Sequence, residues 1–206
     1  MTKKSFLILF LVIFLQSCQN KENGYSLQNE NLIKKTKDVE NNNRTQIEVV
    51  KNFMNWYIQN INRLYKFKTI DGGPMNAKEN EVAENYFVNF EEVEKYIGEL
   101  KKSGFLSDYF LQNEKQTFID GEKYFKENPE NDEPPFGFDY DHFFLTQDTF
   151  EEDLPNIEKT KYKVRQIDNS NVEVEFYLPI SNINYKYSLK MINSKWLINK
   201  IESVEK

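Results

Sequence analysis

In Val172-Glu173-Val174-Glu175-Phe176-Tyr177-Leu178, and again in Tyr185-Lys186-Tyr187-Ser188-Leu189-Lys190-Met191, residues with opposite solvent preference alternate one for one. Successive side chains of a strand point to opposite faces, so each run gathers an apolar face and a polar one. Before the first run, Tyr162 and Val164 alternate with charged residues, and Asp168-Asn169-Ser170-Asn171 makes a turn cluster. After the second, Asn193-Ser194 makes another turn, and Trp196, Ile198 and Lys200 begin a last strand. Period two in short runs separated by tight turns predicts an antiparallel meander with one buried face.

Upstream the period lengthens. Ile47, Val50, Phe53, Met54, Tyr57, Ile58, Ile61 and Leu64 recur at helical spacing, with Thr45 and Glu48 in a capping-box pattern. Asp71-Gly72-Gly73-Pro74 ends this helix in a loop. A second helix is predicted over 90–103, capped by Asn89 and stopped by Gly104. A third runs over 107–128, its stripe of Phe110, Leu111, Phe118 and Phe125 interrupted by Gly121. Phe150-Glu151-Glu152-Asp153 reads as a short helical turn ended at Pro155. Helices first and strands last make an α+β domain, with the first helix available to cover the apolar face of a curved antiparallel sheet.

The N-terminus reads differently. Lys3 and Lys4 precede an unbroken apolar run of ten residues, 6–15. As a helix that run would span roughly 15 Å, about half the hydrocarbon thickness of a bilayer. It therefore reads as a signal peptide rather than a membrane span. The run ends in Leu15-Gln16-Ser17-Cys18, which resembles the lipobox of bacterial lipoproteins. That resemblance implies cleavage before Cys18, lipid on its sulfur and an acylated first residue, with membrane contact through the lipid alone. Gln19 in place of Asp implies, by the same resemblance, an outer-membrane protein facing the periplasm. Residues 19–44 are polar and lack a helical period, so they read as a flexible tether with a typical end-to-end distance of about 30 Å. The expected organisation is a signal peptide over 1–17, a lipidated cysteine and tether over 18–44, and one domain over 45–206.

Composition excludes several classes. The chain has 206 residues and a net charge of −6, and loss of Lys3 and Lys4 leaves 25 basic against 33 acidic side chains, or −8. That balance argues against nucleic acid as a partner. One Cys and one His exclude a disulfide framework, a thiolate zinc cluster and any site needing two histidines of this chain. Neither Gly-x-Gly-x-x-Gly, a phosphate-binding P-loop nor Gly-x-Ser-x-Gly occurs, and no cofactor is expected.

Phe53-x-x-Trp56-Tyr57, the closing Lys195-Trp196-Leu197-Ile198-Asn199-Lys200-Ile201 and the run Asp139-Tyr140-Asp141-His142-Phe143-Phe144-Leu145-Thr146-Gln147-Asp148 carry a wider resemblance. Together, over 47–204, they are similar to the bacterial family named domain of unknown function 3828. That family lies within the cone-shaped, cystatin-like superfamily of ketosteroid isomerases and nuclear transport factors. The resemblance implies a curved sheet wrapped around the first helix and a cavity at the open end of the cone. It implies no activity.

Chemistry concentrates in 132–148, which holds Asp132, Glu133, Asp139, Asp141, Asp148, the sole His142 and five aromatic residues. Asp139, Tyr140, Asp141, His142, Gln147 and Asp148 are the candidate ligand-binding residues. As acid/base groups, Asp141 or Asp148 with His142 could move protons, given burial or a neighbouring charge. As oxygen donors the carboxylates could hold calcium, but the ligand spacing of a calcium loop is missing, and no metal is expected. As a recognition surface, rings beside carboxylates could hold a sugar or a peptide. The plainest reading is structural, with the aromatics in the core and the carboxylates binding backbone amides. The leading expectation is a non-enzymatic binding module for a small ligand or protein partner in the cell envelope. The rivals are a cavity enzyme and an envelope inhibitor or protective protein.

Overall fold

The computed structural model describes residues 45–74, 77, 82–132, 134–147 and 150–205; residues 1–44, on which the expected signal peptide, lipidated Cys18 and tether fall, lie outside the described residues, as do Glu133 and Asp148. Helix α1 covers 45–64, and Thr45, read as its cap, is itself helical. Val50, Phe53, Met54, Tyr57, Ile61 and Leu64 are all buried along one side of it, which is the stripe the spacing predicts.

A two-residue pairing of β1 (Ile70–Asp71) with β2 (Phe87–Val88) follows, antiparallel. Helix α2 spans Phe90–Lys102, with the Asn89 side chain accepting from the Glu92 amide. Helix α3 spans Asp108–Glu127, and Ser107 caps it by accepting from the Phe110 amide. A single 3₁₀ turn at Phe150–Asp153 leads into α4, Leu154–Lys159. Pro155 therefore opens this helix instead of ending the turn. Its missing N–H falls among donors that have no intrahelical acceptor anyway.

Strands β3 (Lys163–Gln166), β4 (Asn171–Leu178), β5 (Ile183–Ile192) and β6 (Lys195–Ser203) form one antiparallel, curved sheet in sequence order. The fold is α+β, helices first and meander last. Val172 opposes Leu189, Val174 opposes Tyr187 and Phe176 opposes Tyr185, all buried on the face toward α1. On the other face Glu175 opposes Lys186, and ion pairs join Arg165 to Glu173 and Lys163 to Glu175. Asn193 and Ser194 both have positive φ, 49° and 63°, as the two-residue turn between twisted strands requires.

Two devices fix the helices to the sheet. The register of β5 on β6 slips between Ser188 and Leu189. Such a bulge re-aims the strand. Nearby, the outer edge of β6 is covered: the Ile198 amide donates to the Phe105 carbonyl at 2.8 Å, and the Ser107 amide donates to the Ile198 carbonyl at 2.9 Å. The Ser107 hydroxyl donates to Asn199 at 2.8 Å while it caps α3. The second device is Asp153, fully buried. Its carboxylate accepts from the Ile180 and Ser181 amides at 3.0 and 2.7 Å, from the Ser181 hydroxyl at 2.6 Å and from Asn156 at 3.0 Å. The β4–β5 turn is thereby tied to the start of α4. Burial pushes this carboxyl up, but the donors from Ser181, Ile180 and Asn156 outweigh it and hold the group below its ordinary value.

Asp153→Ala leaves several of these donors unmatched and should lower unfolding free energy by about 3 kcal/mol, read by denaturant titration. A depressed carboxylate contributes stability that is complete above its unfolded value and is lost as pH falls through the folded one. The stability difference between the two proteins should therefore shrink below about pH 4. An unchanged denaturation midpoint at neutral pH would remove the tie from the account.

Candidate functional site

Residues 134–147 form a strap laid between α1 and α3. Its two chemically interesting neighbours, at the start of the turn over 141–146, go to different partners. Asp141 reaches α1 and His142 reaches α3.

Asp141 is buried. Its Oδ1 accepts from the amides of Phe143 and Phe144 at 2.9 and 2.7 Å. Its Oδ2 accepts from the Tyr57 hydroxyl at 2.5 Å, with the Tyr65 hydroxyl at 3.4 Å. The backbone closes the same turn, since the Asp141 amide donates to the Thr146 carbonyl and the Leu145 amide donates to the Asp141 carbonyl. Leu145 pays for that closure with a φ of +52°, a conformation that costs of order 1 kcal/mol in a branched residue. Burial raises the Asp141 carboxyl above its ordinary value, against the donors from Tyr57, Phe144 and Phe143. Tyr57 is pushed well up by its own burial and by the Asp141 charge.

His142 meets Glu114, a buried carboxylate on α3. Nδ1 lies 2.9 Å from Glu114 Oε1 and Nε2 lies 3.1 Å from the Gly137 carbonyl. The Tyr96 hydroxyl of α2 donates to the same Glu114 oxygen at 3.4 Å. Rings of Phe118, Phe138 and Tyr140 surround the imidazole, with centroids at 6.4, 5.6 and 5.4 Å.

The aromatics divide. Phe143 and Phe144 are core: Phe143 sits 4.4 Å from Tyr57 and 5.5 Å from Phe53, and Phe144 stacks on Phe150 at 4.4 Å while its carbonyl accepts from Tyr185. Phe138 enters a notch at Gly121, where a Cβ would stand 2.5 Å from its ring. Phe136 stacks on Tyr124 at 4.4 Å. Gly121 is thus a receptacle for the strap, although in sequence it looks like a flaw in the α3 stripe.

Among the expected site residues, Asp141 and His142 are engaged inside. Asp139 and Gln147 are exposed and bonded to each other at 2.7 Å. Tyr140 is 42% exposed. Asp148 lies outside the described residues. Glu114 and Tyr96 are not singled out by sequence, and Tyr57 reads as part of the α1 stripe and of the Phe53-x-x-Trp56-Tyr57 motif, not as a partner of Asp141. A Glu among Phe110, Leu111 and Phe118 was the available signal for Glu114. Among the described residues no group of three His, Cys, Asp or Glu side chains could hold a metal ion, and no helix is long and apolar enough to cross a membrane. Comparisons with protein-family models, with curated proteins and with solved structures find no match.

Two outcomes follow from this geometry. Asp141→Ala strands two buried amides and the Tyr57 hydroxyl, and should cost about 3 kcal/mol in unfolding free energy; Asp141→Asn keeps an acceptor for the amides and should cost under about 1 kcal/mol. Equal losses would mean that charge, not amide satisfaction, is what the site requires. Gly121→Ala should destabilise by about 1 kcal/mol through its clash with Phe138. In a Phe138→Ala background the same change should stabilise by a similar amount, because only helix propensity is left. A double-mutant cycle reads the sign change.

Proposed function

We propose that the chain is a lipid-anchored protein of the bacterial cell envelope, held by acylated Cys18, whose domain is a non-enzymatic binding module of the cone-shaped superfamily. The anchor rests on the order of basic pair, short apolar run and Ser17-Cys18 at the N-terminus. The binding reading rests on one observation. The two groups best suited to proton transfer, Asp141 and His142, have their polar atoms taken up by α1, by α3 and by the strap's own backbone. Asp139, Tyr140 and Gln147, on the same strap, remain exposed. A strap held at both Asp141 and His142 presents those three side chains on a rigid base, which lowers the ordering cost of binding a ligand or partner.

Cys18→Ser should move the protein from the membrane fraction to the soluble envelope fraction. Retention in the membrane would remove the lipid anchor. For the binding surface, the protein purified under mild conditions from its own cells should retain a ligand or partner that mass spectrometry identifies. Tyr140→Ala with Gln147→Ala should lose that species with the melting temperature unchanged. Retention by the double variant would place recognition elsewhere.

A further inference from the structure

The strap is more than a loop between helices. It runs antiparallel to α3 and meets one face of it in order: Phe136 at Tyr124, Phe138 at Gly121 and Phe118, His142 at Glu114. Positions 114, 118, 121 and 125 share a helix face by spacing. Beneath lies a second apolar cluster, separate from the core of the sheet: Val88, Val93, Phe118 and Phe125, with Phe138 packed on it. The strap is the cover of that cluster.

At the far end of the cover the contact of His142 with Glu114 holds it to α3. Both nitrogens of His142 face oxygens that can only accept, the Glu114 carboxylate and the Gly137 carbonyl. A neutral imidazole has one N–H and one bare lone pair. Loss of either proton therefore turns a lone pair onto an oxygen and replaces an attraction by a repulsion. We propose that residues 136–142 are a latch, closed on α3 by the charge of His142, and that neutralising His142 lifts the strap from α3 while the sheet stays folded, uncovering the aromatic groove around Gly121.

The groups facing His142 all favour the closed state. From α3 comes Glu114, from α2 the Tyr96 hydroxyl bonded to Glu114, and from the strap Asp141 and the Tyr140 ring. Among the described residues Glu114 has no ion-pair partner but His142. Burial alone would lower the imidazole pKa, but the hydrogen bond and charge of Glu114, the Gly137 carbonyl and the Asp141 charge raise it from 6.5 to about 9. A group raised in the folded state contributes stability that is complete below its unfolded value and is lost as pH rises through the folded one. The latch is thus closed at neutral pH and opens toward alkaline pH.

His142 is the only histidine, so the full-length chain in detergent, without a histidine tag, shows a single imidazole in NMR spectra. That signal should titrate with a midpoint near 9. Hydrogen exchange, corrected for intrinsic base catalysis, should lose protection at the Phe138 amide through the same pH range, while β4 and β5 stay protected. Glu114→Gln should lower both midpoints together by about one unit or more. The latch is overturned by an imidazole that titrates near 6.5, by strap protection that is constant from about pH 7 to pH 10, or by strap and sheet opening together. It is equally overturned if Glu114→Gln moves the imidazole and leaves the strap where it was. Should that variant not fold, the two wild-type readings decide alone.

Discussion

The inward residues of β4 and β5 include Phe176, Tyr185 and Tyr187, and these rings need a partner surface before the sheet is stable in water. Helix α1 supplies it. Phe53 sits edge-on to Tyr187 at 6.5 Å, and Tyr57 carries the contact on to Phe143 and Phe144. A fully buried aromatic side chain contributes about 2 to 3 kcal/mol, so a few such contacts outweigh any propensity or surface ion pair in the chain. The strap joins the same contact network, since Phe143 and Phe144 pack on Tyr57.

That apolar interior sets a constraint on its polar residents. A carboxylate in such surroundings persists only when its oxygens are matched. Asp141, Asp153 and Glu114 are matched in three different ways: by backbone amides and a tyrosine, by a hairpin turn and a serine, and by an imidazole. In each case the carboxylate joins elements far apart in sequence. Buried polar groups here act as selectors of one packing, because any alternative packing would leave them unmatched. The exposed pairs of the helices and the outer sheet face, such as Lys95 with Glu91, carry no such information, being screened by water.

Much of this was legible in the chain, and the pattern of success has a physical reason. Alternation fixes which face of a strand is buried, so β4, β5 and β6 and their turns can be read from Val172 to Trp196. Asn89 reads as the cap of α2 and is one, whereas Ser107 reads only as the start of α3, and Thr45, which reads as the cap of α1, is helical. Pro155 misleads because the same ring that stops one helix suits the first turn of the next. Gly121 and Glu114 mislead because each is explained by a residue distant in sequence, Phe138 and His142. Local periodicity sees a gap and a stray charge where the fold has a socket and a tie. The concentration of chemistry in 132–148 was visible, but not its division into inward and outward members, which depends on the two helices that the strap crosses.

Side chains adjacent in sequence do not face each other in a helix or a strand. Asp141 and His142 are adjacent in a turn, and each has partners of its own. Asp141 opens the turn that closes at Thr146, so its carboxylate folds onto the amides of Phe143 and Phe144, while His142, the next residue of that turn, reaches Glu114. The turn gives each charge a separate partner and makes one short segment a brace between α1 and α3. A self-paired Asp141–His142 would satisfy the same two charges and brace nothing. The brace holds the outer residues of the strap, Asp139, Tyr140 and Gln147, in fixed positions on the surface. The two inward-held neighbours are thus what gives the exposed trio its shape.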